Sequence, residues 1–423
     1  MRSINRSLLF AVFSCMAFGP VTFAEEWTRF RGEHGSGVSN TVVPTTWSNE
    51  QNLRWKTNLP GAGASSPVVI GDRIFLTAYS GYGDSVEDPG SREDLRLHVV
   101  CLSLHSGEVL WDKEFEPAPE EQPIGKRVAE HGYASPTPCV DEANVYAYFG
   151  PSGVIALTHD GEFLWRRNVG TKTVGFGAAA SPIEFEGLVI MNASIEGGAV
   201  YGLDKATGEV AWRTDNIVKA WTTPTVVKLE DGSYELILNQ QGKILGLDPR
   251  TGEKLWSFDA IEDYVVPAIV ADGSTLYCSG GRSNKTFVVK AGGRGDVSDS
   301  HLVWEVSRGA NVTTPVLHSG HLYWSHDKAI ALCLRASDGE EMFRERLPTR
   351  SRVYASIVAD REKLFLTTRD EGVVVIAAEP TYRELAINRV GEEGEIFNAT
   401  PAIVNGQLLL RSNQSIYCIA GDE

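Results

Sequence analysis

Short apolar runs alternate with Gly- and Asp-containing turns along nearly the whole chain. The stretch "SPVVIGDRIFL" (66–76) shows the unit: two apolar runs joined by a tight turn, which reads as a β-hairpin. It returns as "SPTPCVDEANVYAY" (135–148), "SPIEFEGLVIM" (181–191), "TPTVVKLEDGSYELIL" (223–238), "VPAIVADGSTLYC" (266–278), "TPVLHSGHLYW" (314–324) and "TPAIVNGQLLL" (400–410). "ASIVADREKLFL" (355–366) fits with Ser356 in place of Pro. These eight copies start at Pro67, Pro136, Pro182, Pro224, Pro267, Pro315, Ser356 and Pro401. A leading Pro suits the first residue of a strand, where a missing N–H costs least. A third apolar run follows, such as "AVYGL" (199–203), and then a turn and a fourth run ending in Trp. Each unit of roughly 45 residues therefore predicts four strands, A to D.

The C–D turn is the most regular part of the repeat, best seen in "LDKATGEVAW" (203–212) and "LDPRTGEKLW" (247–256). Asp204 and Asp248 have the type to accept backbone hydrogen bonds at a turn start, and Gly208 and Gly252 to supply a positive φ. The Trp on the outer strand is placed to pack against the next unit. A four-stranded sheet repeated eight times predicts an all-β fold, an eight-bladed β-propeller of antiparallel blades. The last unit lacks an outer strand, while "NLRWKTNL" (52–59) is an outer-strand signal with no blade of its own. Residues 52–59 are therefore expected to complete the last blade. The outer-strand signals are then Trp55, Trp111, Trp165, Trp212, Trp256, Trp304, Phe343 and a degenerate one near Leu385.

Composition adds a compartment to this picture. Arg2, Arg6 and the apolar run "LLFAVFSCMAF" (8–18) read as a signal peptide of residues 1–24 ending at Ala24, followed by an N-terminal extension (25–51) and a single propeller domain (52–423). Phe13 and the short apolar run disfavour lipidation at Cys15. The mature chain is expected to be exported, periplasmic or extracellular, without a transmembrane segment, and monomeric. The formal net charge of −16 becomes −18 without Arg2 and Arg6, and no Lys/Arg cluster is present, which argues against a nucleic-acid partner. Six Cys in an exported chain invite disulfides. The repeat instead puts Cys101, Cys333 and Cys418 on a strand C slot held elsewhere by Gly202, Gly246 and Ala156. It puts Cys139 and Cys278 on apolar slots matched by Ile70 and Leu76, so the Cys read as small buried hydrophobes.

Chemistry is expected on one face. In a propeller the D–A and B–C connections share the face away from the C–D turns, around the central channel. Those connections carry the candidate ligand-binding residues His131, Tyr133, Trp221, Tyr264, Asn311, His326, Arg352 and Asn398. His131 and Tyr133 follow a basic pair, Lys126 and Arg127, and His326–Asp327 has the composition of an acid–base pair. Trp221 and Tyr264 suit stacking on a planar ligand or packing along the channel wall. Two insertions, 80–96 and 113–132, lie on the same face with five acids each, and read as favouring cationic partners or as solvated covers. The tripeptide "RGD" (294–296) lies in a Gly-rich hairpin turn. No metal-ligand spacing, GxSxG, HExxH, P-loop or EF-hand motif appears.

The "LDxxTGExxW" elements and "SPVVxGxxIF"-like strands resemble the pyrrolo-quinoline-quinone-like (PQQ-like) β-propeller family across residues 52–423. The opening "EWTRFRGEHGSGVS" (26–39) is similar to the leader of exported members. The resemblance implies one of two roles. Quinoprotein dehydrogenases of the family hold the quinone and calcium and oxidise alcohols or sugars; their adjacent Cys pair is absent here. Outer-membrane assembly-factor propellers of the family are non-catalytic and bind peptide segments of partners. The expectation is a non-catalytic exported propeller that binds a protein partner or small ligand and needs no cofactor. The alternative is a quinone-dependent oxidoreductase with PQQ and calcium.

Overall fold

A computed structural model describes residues 25–85, 88–125 and 131–421. The signal-peptide reading, the Cys15 alternative and the Lys126–Arg127 pair fall outside these residues. Eight sheets of consecutive antiparallel strands follow one another around a ring, an eight-bladed β-propeller. The inner strands of blades 1 to 8 are Val68–Ile70, Cys139–Val140, Ile183–Phe185, Thr225–Lys228, Val270–Asp272, Val316–His318, Val358–Ala359 and Ala402–Val404. In blade 8 the N-terminal strand Leu53–Asn58 pairs with Ser415–Ala420, so the two ends of the chain close the ring within one sheet.

The aromatic repeat works as a clamp between blades. In strands C and D, Trp212 pairs with Gly202, Trp256 with Gly246, Trp165 with Ala156, Trp111 with Cys101, Trp55 with Cys418, Trp304 with Val288 and Phe343 with Cys333. Except at Val288, one face of the ring thus lies over a small residue of its own blade. A Cβ at Gly202 would sit 2.3 Å from the Trp212 ring, and one at Gly246 2.1 Å from that of Trp256. The other face meets the C–D turn glycine of the next blade: Gly107 on Trp55, Gly161 on Trp111, Gly208 on Trp165, Gly252 on Trp212 and Gly339 on Trp304. The indole N–H of each of those five Trp then donates to a carbonyl of the same turn, at Leu104, His159, Lys205, Pro249 and Ala336. Asp204 Oδ1 accepts from the N–H groups of Ala206 and Thr207, which lets Gly208 turn the chain at φ 69°.

The structure also corrects several readings. Strand pairing puts Pro138, not Pro136, in the slot of Pro67, with Ile269 there in blade 5 and Ile357 in blade 7. Pro136, Pro267 and Ser356 were therefore misaligned by one or two residues, because a doubled "SPTP" and a shifted "VP" look alike without register. Cys139 accordingly matches Val68 rather than Ile70. In blade 7 the aromatic slot is Ala386, opposite Val375, and Leu385 is the bulged residue beside it. The "RGD" segment is not a free turn: Gly295–Asp296 adds a short parallel strand beside Trp256 and Ser257 of blade 4. All five described Cys are free and buried.

Residues 25–51 are threaded through the ring. Trp27 exchanges hydrogen bonds with Val69, and Thr28 O accepts from Val140 N–H. Across the channel Val38 bridges Ala359. The chain then runs outward between blades 7 and 8, where Val43 N–H meets Asp360 Oδ2 and Trp47 N–H meets Asn388 Oδ1. Trp47 packs on Phe365 with ring centroids 6.2 Å apart, and shares that core cluster with Ala386, so it fills the space left where blade 7 has no aromatic.

Candidate functional site

The residue before each inner strand's Pro slot forms a ring of small hydroxyls around the channel. Ser66 N–H donates to Thr137 Oγ1, Thr137 N–H to Ser181 Oγ and Ser181 N–H to Thr223 Oγ1; Ala268 N–H donates to Thr314 Oγ1, Thr314 N–H to Ser356 Oγ and Ser356 N–H to Thr400 Oγ1, all at 2.9–3.0 Å. Blade 5 breaks the pattern, because Ala268 carries no hydroxyl. The Ser/Thr of the repeat thus lock one blade's entry to the next at six steps around the ring.

Directly beneath this ring lies the N-terminal segment. Arg31 is fully buried, and its guanidinium donates to the carbonyls of Gly35, Ser36, Thr314, Pro315 and Ile357 at 2.5–3.2 Å. Arg29 reaches Pro224 O at 3.4 Å. Burial lowers the Arg29 pKa to about 10 and that of Arg31 to about 9, and neither has a carboxylate partner among the described residues. Arg411, also buried, donates to Ser65 O at 2.8 Å and to Ser65 Oγ, while its Nε and Nη2 have no hydrogen-bond partner among the described residues. Three guanidinium groups without acids therefore surround the channel and make its interior positive.

Above the plug the channel is a cup of about 170 Å³ with Phe30 in its lining. Its upper wall is aromatic. Trp221 stands edge-on to Phe176 at 5.7 Å and to Tyr264 at 6.5 Å, and its Nε1–H donates to Gly177 O at 2.8 Å. His131 meets Tyr354 at 5.9 Å on the other side, and Asn398 completes the polar edge. Among the described residues the lining contains no Asp, Glu, Lys or Arg. The rim does carry cations: Arg282 lies 5.0 Å over the Tyr264 ring and Arg369 5.6 Å over that of Tyr354.

Of the residues singled out from sequence, His131, Trp221, Tyr264 and Asn398 line this cup. Arg352 stands at the rim and donates to Tyr354 Oη at 2.8 Å. Asn311 lies behind the wall, accepting from Tyr264 Oη at 2.5 Å and bonding Asp327, which contacts His326 at 2.7 Å. His326 Nε2 then meets Asn284 Oδ1 at 3.0 Å, so His326 belongs to a separate crevice between blades 5 and 6. Burial raises the pKa of Asp327, but the His326 and Asn311 hydrogen bonds outweigh it and hold the carboxyl below its usual range. Tyr133 is displaced from the cup. It packs on Tyr79 at 5.4 Å and donates to Gln122 O at 2.8 Å. It joins the two insertions into one cap over blades 1 and 2, with Tyr82 Oη accepting from Ile124 N–H at 3.3 Å.

Sequence reasoning missed Phe30, Phe176 and Tyr354. Phe176 and Tyr354 had a usable signal, an aromatic a few residues before the Ser/Thr of an inner strand. Phe30 had none, because it lies outside the repeat.

The residue 96–262 stretch matches the family described as outer membrane protein assembly factor BamB. No curated protein matches the chain significantly. Among solved structures, the chain is similar to BamB from Moraxella catarrhalis (12% identity, TM-score 0.62, covering 87% of this chain and 98% of that one). It is similar to the quinohemoprotein alcohol dehydrogenase from Comamonas testosteroni (13% identity, TM-score 0.65, 94% and 81%). A europium-containing methanol dehydrogenase shares the fold as well (11% identity, TM-score 0.63, 91% and 89%). At such identities these likenesses concern the fold alone. With its repeat, its ring of eight blades and the matched stretch taken together, the chain is an eight-bladed propeller similar to the PQQ-like β-propeller family.

Proposed function

We propose that the protein is an exported binding propeller that recognises a segment of a partner protein, or a small ligand, at the cup and its rim. The observation that carries this reading is the lining itself: a closed floor, aromatic walls and, among the described residues, no ionisable side chain apart from His131, Tyr264 and Tyr354. Such a surface takes up an apolar or planar group by burial and edge contacts. Among the described residues it offers no carboxylate to act as a general base.

The oxidoreductase alternative needs calcium and a quinone, and the donor set suits neither. Calcium takes about six to eight oxygen ligands, with carboxylates prominent among them. The cup offers neutral hydroxyls, six of whose ring members (Thr137, Ser181, Thr223, Thr314, Ser356 and Thr400) already accept backbone N–H groups. Among the described residues it has no Lys or Arg in its lining to meet an anionic quinone. No step is therefore assigned to either group. Export and a protein partner are the setting in which a binding role of this kind is expected.

Two measurements test the reading. A pull-down from the cell envelope with the mature protein is expected to retain a partner that Trp221→Ala loses, with the variant still folded. Addition of the quinone and calcium is expected to give no bound absorbance band and no dye-linked alcohol or sugar oxidation. Oxidation that depends on both additions would replace the binding reading with the enzymatic one.

A further inference from the structure

The chain is acidic overall, yet one crevice on its upper face is lined by cations. It lies between blades 5 and 6, has a volume of about 340 Å³, and is bounded by Asn284, Ser307, Arg308, His326, Lys328 and Arg344. Among the described residues no Asp or Glu is in its lining. Of the three permanent cations, Arg308 is engaged by Glu341 at 2.5 Å. The Lys328 ammonium and the Arg344 guanidinium have no hydrogen-bond or ion-pair partner among the described residues. Lys328 feels the Asp327 carboxyl only through a weak longer-range attraction. Two cations lining one crevice repel each other, and an anion held between them relieves the repulsion.

The crevice is also built to keep its histidine in place. His326 is fixed on one side by Asp327 at 2.7 Å and on the other by Asn284 Oδ1 at 3.0 Å. Asn284 Nδ2 donates to Arg282 O at 3.1 Å, which sets the amide so that its oxygen faces the ring. The Lys328 backbone N–H also lies 3.3 Å from Nδ1, so the ring is held from both edges. Asp327 is tied in turn through Asn311 to Tyr264 in the wall of the cup.

We infer that this crevice binds a phosphate-type oxyanion, held by Lys328 and Arg344, with Ser307 and His326 beside it. The chemistry is shared by free phosphate and by the phosphodiester of a lipid headgroup. Calorimetric titration of the full chain with inorganic phosphate at low ionic strength is the first arm. Cosedimentation with phosphatidylglycerol vesicles, against phosphatidylcholine vesicles, is the second. Binding is expected in at least one arm, weakened roughly tenfold or more in Lys328→Gln/Arg344→Gln, whose thermal melting should match the parent because both side chains are exposed. Should the double variant melt early, Lys328→Gln alone is expected to give a smaller loss in the same direction. Saturation by phosphate identifies the free ion, and vesicle binding without it identifies the headgroup. No binding in either arm, or equal affinity in a folded variant, overturns the inference.

Discussion

At the residue scale, the positions that govern this fold are the ones where size is limited on both sides of a ring. Trp212 is held between Gly202 of its own blade and Gly252 of the next, so neither glycine can gain a Cβ without moving the indole. Trp256 shows what happens when the next C–D turn departs from the repeat. Its indole N–H turns to Glu235 Oε2 at 2.7 Å, and the same oxygen accepts Gly292 N–H at 2.9 Å. A buried carboxylate thus replaces a turn carbonyl as the anchor. Another buried acid gives a pH dependence. Burial, with Glu121 nearby, raises the Glu196 pKa from 4.5 to about 7. The folded state then holds a proton that the unfolded chain releases earlier. Stability contributed at this site is therefore full below pH 4.5 and declines as pH rises to about 7, by up to about 3 kcal/mol. Denaturant melts from pH 4.5 to 8 are expected to show that decline in the parent and a flatter profile in Glu196→Gln. Parallel profiles would remove Glu196 as the source.

At the scale of elements, the ring closes through a single strand. Leu53–Asn58 supplies the outer strand of blade 8, and Trp55 carries the clamp onward to blade 1 through Gly107 and Leu104 O. Deleting residues 52–59 leaves the edge of Ser415–Ala420 unpaired and removes that clamp. The truncated protein is expected to unfold at a markedly lower temperature and to self-associate. Unchanged melting in a calorimetric scan would show that closure contributes little. The two insertions behave as one element. Tyr82, Tyr133 and Ile124 give them a shared apolar interior, and Glu121 is buried with its carboxylate on Ser152 Oγ at 2.7 Å. Their acids are thus only partly available as the charged rim that composition suggested.

At the scale of the whole molecule, the channel is a cup because the N-terminal segment plugs it. Arg31 stands in for missing inner-strand partners by donating to carbonyls of blades 6 and 7 at once. An arginine suits this place because its five N–H groups fan out in a plane and remain charged even when desolvated. Arg31→Ala leaves those buried carbonyls without donors, at an expected cost of about 3 kcal/mol or more. Hydrogen exchange should then speed up over residues 27–38 before the blades themselves open. Exchange unchanged over that segment, together with an unchanged unfolding midpoint, would mean that the plug is held by Trp27 and Phe30 alone.

Blade number, closure, the clamp and the fate of the Cys were all legible in the sequence. Each depends on residue types that recur at fixed spacing, and a repeated turn chemistry leaves few alternatives. Register was less legible: Pro136, Pro267 and Ser356 were misaligned because hydrogen-bonded pairing, not local composition, decides which residue enters the sheet. The candidate site was legible only as a face. Trp221 and Tyr264 share the cup wall because neighbouring blades bring them to 6.5 Å, while Tyr133 turns away to fill the cap. His326 and Asn311 were separate names in the sequence and became one hydrogen-bonded chain in the fold. The floor of the cup was illegible, since Arg29 and Arg31 on either side of Phe30 reach residues 195 to 326 positions away, through contacts that no repeat encodes. Sequence alone determined the scaffold, because each blade follows from local rules applied eight times. Tertiary structure alone decided the site, because a plug, a cup and a cationic crevice exist only once distant segments converge.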